Sequence, residues 1–576
     1  MHAILEKRGL VRLVLAGLLY FGAVPSHVFA DDKGSREVPP KAEAAPAPQS
    51  GVAGPMTETP GVTVSAANRE VASAEPFAFA DFPTWLNDIL ATDESRMDST
   101  TSALDGAEGA ALSSILGNPD AQGLGDSAGG QGASTSSKNV LTGNFFHRLV
   151  QFYKQDWAGT NPAGPSPSKR GLPAPLDSPP FPFSDWGYGG SPDIGAPDGN
   201  TYPLMSALGL ENSRTKIYGW VATSINFSTS AKNNFPVSYD IFPNKIELNQ
   251  AVVYIERLPD TAQTDHFDWG YHVTGFYGID YRFTTAKDYF SQQLLLFNRQ
   301  YGFDPVLEYV DLYFPVKDGL NIRIGRFLSV PGIEAQLAPN NYNMTHSLLY
   351  TIDPFTDTGI YGTLKLNKQW IVQLGLSAGH DVAPWSTDAK PSAIFCLNYS
   401  TKSNNDNFYG CANGINDGKY AYNNLQDYDF TWYHKFNSKW HSATEVWYMY
   451  ETGVPNVAGN VANPVTPELG ANGAFCRAGA LRCTAPEYAV VNYLNREVNS
   501  KFMFGFRSDF LDDKKGQRTG FATKYTENTL YATRYIGTTI MIRPELRFDH
   551  SWDLAAYNNG KARNQLFFGM DLIYKF

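Results

Sequence analysis

From Lys216 to Phe576 the chain separates apolar from polar side chains with a period of two, and the connections between these stretches run alternately long and short. In the final stretch Leu566, Phe568, Met570, Leu572, Tyr574 and Phe576 share one parity, while Gln565, Gly569, Asp571 and Lys575 take the other. Successive side chains of a strand point to opposite faces, so each such stretch has one oily face and one wet face. The same separation recurs at 269–283, 502–510 and 540–549, and about fourteen strands can be counted. Long connections fall near 228–248, 284–305, 328–357, 379–425, 451–486, 512–524 and 550–563. Short turns such as Lys317-Asp318-Gly319 and Asn437-Ser438-Lys439 lie between them, and 258–268 is the one longer member of the short set. A soluble sandwich has no need of this alternation. A transmembrane antiparallel β-barrel does, with long loops on one side, short turns on the other and both barrel termini on the turn side. The hairpin-like segment 392–414 would raise the count to sixteen without changing the parity. Arg326 and Arg534 break the pattern by sharing parity with lipid-facing residues; a rim position or a bulge would accommodate each.

The N-terminal part reads differently. Lys7, Arg8 and Arg12 precede an apolar run from Leu13 to Val24, and Val28-Phe29-Ala30 fits a cleavage site, so 1–30 is expected to be a secretory signal peptide. No later run is long enough for a transmembrane helix. The net charge of −11 argues against nucleic acid as a partner. Aromatic residues at 14% suit a barrel with interfacial girdles. Residues 31–200 are rich in Pro, Ala, Gly and Ser and read as a periplasmic, largely disordered extension ahead of a barrel at 215–576. Three short amphipathic helices are expected within it, near 82–90, at 112–116, and on the stripe Phe145, Leu149, Phe152 and Tyr153. Such helices either dock on the barrel or fray, or else plug it or bind a partner.

Four Cys permit three connectivities, and Cys396–Cys411 with Cys476–Cys483 is preferred because each closes a short local loop in an oxidising compartment. Both pairs are expected in or beside the long outward loops. No metal-ligand spacing occurs among the Cys and His residues, so neither a metal nor another cofactor is expected. Gly375-Leu376-Ser377-Ala378-Gly379 matches a nucleophile-elbow pattern, but it follows a strand phase and precedes a polar loop, so no catalytic residue is assigned.

The wet parity supplies candidate lumen-lining residues: Asp280, Arg282, Asp311, Arg323, Lys365, Asp429, Arg507, Asp509, Arg543, Glu545, Arg547 and Asp571. With Glu445, Asp549, Lys435 and Lys575, about eight acids face eight bases, which predicts weak charge selectivity. The third long loop, 328–357, is unusually apolar and is the candidate constriction, with Glu334, Tyr342, His346, Asp353 and Asp357 as its polar members. Its apolar side chains need cover, either inside the barrel mouth or between subunits.

Gly325-Arg326-Phe327, Pro331-Gly332-Ile333-Glu334, Ala338-Pro339-Asn340-Asn341-Tyr342, His346-Ser347 and Asp353-Pro354-Phe355-Thr356-Asp357 resemble a family of outer-membrane β-barrel porins described as OmpL-like. The run 180–192 and Ile217-Tyr218-Gly219-Trp220 are also similar. The resemblance covers roughly 180–576 and implies a channel in the bacterial outer membrane, with no substrate specified. The expectation is a non-enzymatic porin in contact with outer-membrane lipid that passes small hydrophilic solutes, with homo-oligomerisation left open. The alternative is a plugged or structural barrel whose disulfide-stapled loops bind a partner.

Overall fold

Each alternating stretch becomes a strand in the computed structural model, which describes residues 141–160, 202–457 and 473–576 apart from 262, 298, 330, 331, 404, 438 and 500. The expected signal peptide, the two helices before residue 120 and the run 180–192 lie outside the described residues. In chain order the strands are β1 (Thr215–Ser228), β2 (Ile246–Arg257), β3 (Asp268–Gly278), β4 (Gly302–Asp304), β5 (Glu308–Phe314), β6 (Leu320–Leu328), β7 (Thr356–Lys365), β8 (Trp370–His380), β9 (Ser392–Ser400), β10 (Asp406–Ile415), β11 (Gln426–Lys435), β12 (Trp440–Pro455), β13 (Arg482–Asn499), β14 (Phe502–Asp513), β15 (Thr523–Ile536), β16 (Ile540–Ser551) and β17 (Asn564–Lys575). Sixteen of them pair antiparallel with their neighbours around a closed ring. The ring shuts where β17 meets β1, with Tyr574 opposite Val221 and Gly569 opposite Asn226. The three-residue β4 stands outside it, pairing with the far end of β3 while β5 takes the near end.

The strand number is therefore sixteen, and the two beyond the fourteen are β9 and β10, the hairpin at 392–414. Long loops and short turns alternate strictly around this ring, with 258–267 the longest turn. A closed ring has no exposed sheet edge, which hydrocarbon would not tolerate. The face distribution is inverted relative to a soluble protein. On β17, Leu566, Phe568 and Leu572 are 45–47% exposed, while Gln565 and Asp571 are buried.

Two local expectations need correction. The strand expected over 269–283 ends at Gly278, and residues 279–284 form a 3-10 turn. Gly278 has φ of 155°, and a Cβ there would lie 2.0 Å from the Asn249 carbonyl oxygen, so only glycine permits this exit from the strand. Asp280 and Arg282 thus stand on the turn rather than on a strand. Second, only one disulfide lies in an outward loop. Cys476–Cys483 staples the loop between β12 and β13, but Cys396–Cys411 joins directly opposed residues of β9 and β10 within the wall.

The two parity-breaking arginines have different explanations. Arg326 keeps outward parity yet is buried, because segment 284–305 folds over it: Asp304 accepts from its guanidinium at 2.6 and 3.1 Å, the Thr284 carbonyl at 2.6 Å, and the Tyr289 ring lies 4.6 Å away. Arg534 is exposed two residues from the turn end of β15, where a charge on the lipid face costs about 0–1 kcal/mol rather than the 2–4 of the midplane.

Two helices accompany the ring. α1 (Phe145–Ala158) docks on the β15–β16 turn, and α2 (Pro203–Leu208) packs beside β1, where Tyr202 meets the inward Tyr218 edge-on at 4.9 Å.

Candidate functional site

The long connection between β6 and β7 does not project outward. Ile333, Tyr342, Leu348, Leu349 and Ile352 are buried with Tyr433, Trp447, Tyr493 and Tyr531 of the inner wall. These side chains explain the apolar density of an otherwise loop-like sequence: it packs against the inner wall. The loop carries one helical turn, Leu348–Ile352, whose N-cap Ser347 accepts from the Tyr350 amide at 3.1 Å.

Polar contacts fix the loop to walls on several sides. Gln250 of β2 donates to the Gln336 carbonyl at 2.8 Å and accepts from the Ala338 amide at 3.0 Å. Glu445 of β12 accepts from the Ile333 amide at 2.8 Å. Three arginines reach the loop from β14 and β16. Arg507 donates to the Thr345 carbonyl at 2.6 Å, Arg543 to those of Ala338 and Asn341 at 2.8 and 3.0 Å, and Arg547 to that of His346 at 2.5 Å. Carboxylates meet the loop's donors in turn: Glu545 accepts from Asn343 and the Thr345 amide at 3.0 Å, and Asp509 from the Leu348 amide at 2.6 Å. Glu334 ties the loop to itself and to the wall, accepting from the Ser347 amide at 2.9 Å and Tyr493 at 2.5 Å, with Arg507 at 3.4 Å.

Around these contacts the wall's charges sort by side. On β14–β17 the arginines are compensated: Arg507 by Glu527 at 3.1 Å, Arg543 by Asp571, and Arg547 by Asp549 at 2.9 Å. Asp311 and Arg323 form a buried two-pronged pair on β5 and β6, with both contacts at 2.8 Å. On β11–β13, Asp427, Asp429 and Glu487 are buried and each keeps a carboxylate oxygen without a hydrogen-bond partner. The nearby Arg518 spends its donors on the Ile352 carbonyl and Asn423.

Of the residues anticipated for the lumen, Arg507, Asp509, Arg543, Glu545, Arg547 and Asp571 come together against the loop. Asp311 and Arg323 pair elsewhere, and Lys365 is half-buried near the turn end of β7. Asp429 joins the β11–β13 carboxylates. Asp280 receives a bond from Gln250 at 3.2 Å and Arg282 donates to Gln300 at 2.5 Å. In the loop, Tyr342, His346 and Asp353 are buried, the Glu334 side chain is 4% exposed, and Asp357 at the start of β7 lies 3.1 Å from His380. Glu527, Asp427, Glu487 and Arg518 were missed. Glu527 was legible from parity with Thr529 and Thr533, whereas Arg518 sits in a loop where parity is silent.

Burial sets the ionisation of the loop's own groups. It raises the carboxyl of Asp353 well above the usual range, with Asp427 and Glu445 adding to the effect. It also raises that of Glu334, against the pull of Arg507. Burial, joined by Arg507, Arg543 and Arg547, holds His346 well below 6.5 and therefore neutral. Its Nε2–H donates to the Ala335 carbonyl at 2.7 Å, and its ring packs 4.1 Å from that of Tyr239.

The segment Gly375 to Gly379 lies wholly inside β8, with Ser377 opposite both Gly359 and Ser392. It has no strand-turn-helix setting for a nucleophile.

Residues 214–576 match the family model described as Putative beta-barrel porin-2, OmpL-like. The chain belongs to that family. Its ring is accordingly a porin-like outer-membrane barrel. Among solved structures this porin-family chain is similar to the outer membrane channel DcaP of Acinetobacter baumannii, at 10% identity over 63% of this chain and 97% of that one, with a TM-score of 0.39. It is similar to an anion-selective porin from Comamonas acidovorans, at 9% identity over 63% and 99%, with a TM-score of 0.40. The trimer form of OmpT from Vibrio cholerae is also similar, at 10% identity over 63% and 99%, with a TM-score of 0.39. No curated protein matches the sequence.

Proposed function

We propose that the protein is a passive diffusion channel for small hydrophilic solutes in the bacterial outer membrane, narrowed by the loop between β6 and β7. The observation that carries this reading is the seating of that loop by Arg507, Arg543 and Arg547, which turns an apolar connection into a fixed internal partition. Solutes would pass beside it, along walls lined by charged and amide side chains. No reaction is required; the free-energy cost of passage is set by fit and by the local field.

The acidic side chains of the interior favour a weak cation preference. Buried carboxylates outnumber buried arginines more than threefold among the described residues. Carboxylates with an unpartnered oxygen lie on β11–β13, at Asp427, Asp429 and Glu487, and again at Asp240, Glu247 and Asp280.

Purified protein in planar bilayers is expected to give discrete conductance steps, and a tenfold potassium chloride gradient a reversal potential of the sign that favours potassium. Asp429→Asn with Glu487→Gln should reduce that potential. A bilayer that stays sealed at high protein density would overturn the channel, and a reversal potential at zero or of opposite sign would overturn the preference. The plugged alternative is favoured by one feature, the packing of α2 against inward-facing Tyr218. Conductance that appears only after residues 31–210, which include α2, are removed would establish it.

A further inference from the structure

We infer that α1 is a membrane-interface helix, seated in the headgroup region of a phospholipid surface beside the turn end of the wall. The inference rests on the lipid-facing reading of the ring's outer face.

The helix is built to hold one position. Asn144 caps its start by accepting from the His147 amide at 3.0 Å, and Gly159 closes its end in the left-handed region. Near its C-terminus, Asp156 accepts from the Thr538 amide at 2.9 Å and from the Thr538 and Thr539 hydroxyls at 2.8 Å. Trp157 Nε1–H donates to Thr539 at 3.0 Å. These bonds clamp α1 to the β15–β16 turn.

The clamp decides which way the helix faces. Phe146, Val150, Tyr153 and Trp157 recur at spacings of four, three and four, so they share one helical face. Tyr153 on that face lies 5.2 Å from Tyr574, which has the outward parity of the exposed Met570 and Leu572 on β17. The face is therefore continuous with the outer surface of the ring. The rest of it has no protein cover among the described residues: Phe146 is 72% exposed and Val150 49%. Lys154 and His147 lie exposed beside it, on the side where headgroups and water would be.

The β15–β16 turn itself lacks outward aromatics where this face lies. Elsewhere the outward positions near the turns carry large aromatics, such as Trp269 on β3, Trp370 on β8 and Phe504 on β14. At the β15–β16 turn the flanking outward positions are Ile536 and Ile540. Aromatic rings at headgroup depth anchor barrels. At this arc the ring supplies Tyr574, opposite Ile540 on β17, and Tyr153 and Trp157 of α1 extend that aromatic across the β15–β16 turn. A helix with an apolar face and a flanking basic edge is the form that lies in an interface.

The test uses the full chain refolded into phosphatidylethanolamine–phosphatidylglycerol vesicles. The four native Cys are paired, so a single introduced thiol takes an environment-sensitive dye. Labels go on Val150→Cys, on Lys154→Cys, and on Leu530→Cys of the outward wall. Shallow doxyl lipid is expected to quench the label at 150 at least twofold more than the label at 154, with iodide showing the reverse order. Equal iodide access at 150 and 154 overturns the inference. So does protection of 150 from both quenchers, which would mean protein cover, or disulfide-linked dimers through position 150, which would mean a second copy. The label at 530 separates the two levels. If it is quenched by lipid and 150 is not, only the role of α1 fails. If it is not quenched, the lipid-facing reading fails and takes the role of α1 with it.

Discussion

A single buried carboxylate holds the internal loop in register. Glu334 joins the Ser347 amide, the Tyr493 hydroxyl and Arg507, so it bridges two ends of the loop and two strands of the wall. Glu334→Ala leaves those partners short of an acceptor in a water-poor site, at a cost on the order of 3 kcal/mol to the seated loop. Single-channel records of this variant should show larger and noisier steps, while unchanged traces would show that the loop needs no such tie. His346 contributes with a definite sign. Its folded pKa is depressed, so a released loop takes up a proton near pH 6.5 and the seated loop does not. Its contribution is absent above about pH 7 and destabilises the seated state progressively as pH falls below about 6.5. Asp353 and Glu334, whose pKa values are raised, act in the opposite direction, so the variant comparison isolates the histidine. Between pH 7 and 5.5, His346→Gln should flicker less than wild type, and identical pH responses would remove the histidine from the account.

At the scale of elements, replacing residues 333–352 by a short Gly-Ser linker should leave the ring intact and raise conductance, because the wall's ladder does not use those residues. Heat-modifiable migration in detergent gels would report the ring, and bilayer current the pore; a lower current would contradict the constriction. The two disulfides should differ in effect. Cys396–Cys411 joins strands that the ladder already holds together, whereas Cys476–Cys483 staples a loop. Reduction should therefore expose the β12–β13 loop to protease while the β9–β10 ladder stays paired. The strands themselves were legible because lipid outside and water inside impose a parity that survives residue by residue. Two failures have local causes. Tyr281 and Phe283 keep the parity of β3 although Gly278 has already turned the chain. Arg326 defies parity because Asp304, twenty-two residues earlier, folds over it. The match between loop carbonyls and Arg507, Arg543 and Arg547 joins positions roughly two hundred residues apart and leaves no local signature.

For the whole molecule, the inverted distribution of side chains decides which environment it can occupy. Oily residues outside and charges within cannot both be satisfied in water, whereas a bilayer around a hydrated interior satisfies both. The meeting of β1 with β17 carries a consequence for assembly. Those strands stand hundreds of residues apart in sequence, so joining them is the least local contact in the ring. Until that junction forms, the sheet keeps two unpaired margins able to recruit strands from other chains. Biogenesis must therefore shelter both margins until the far end of the polypeptide arrives, and a variant that weakens this one seam would be lost to aggregation before it could be tested for transport.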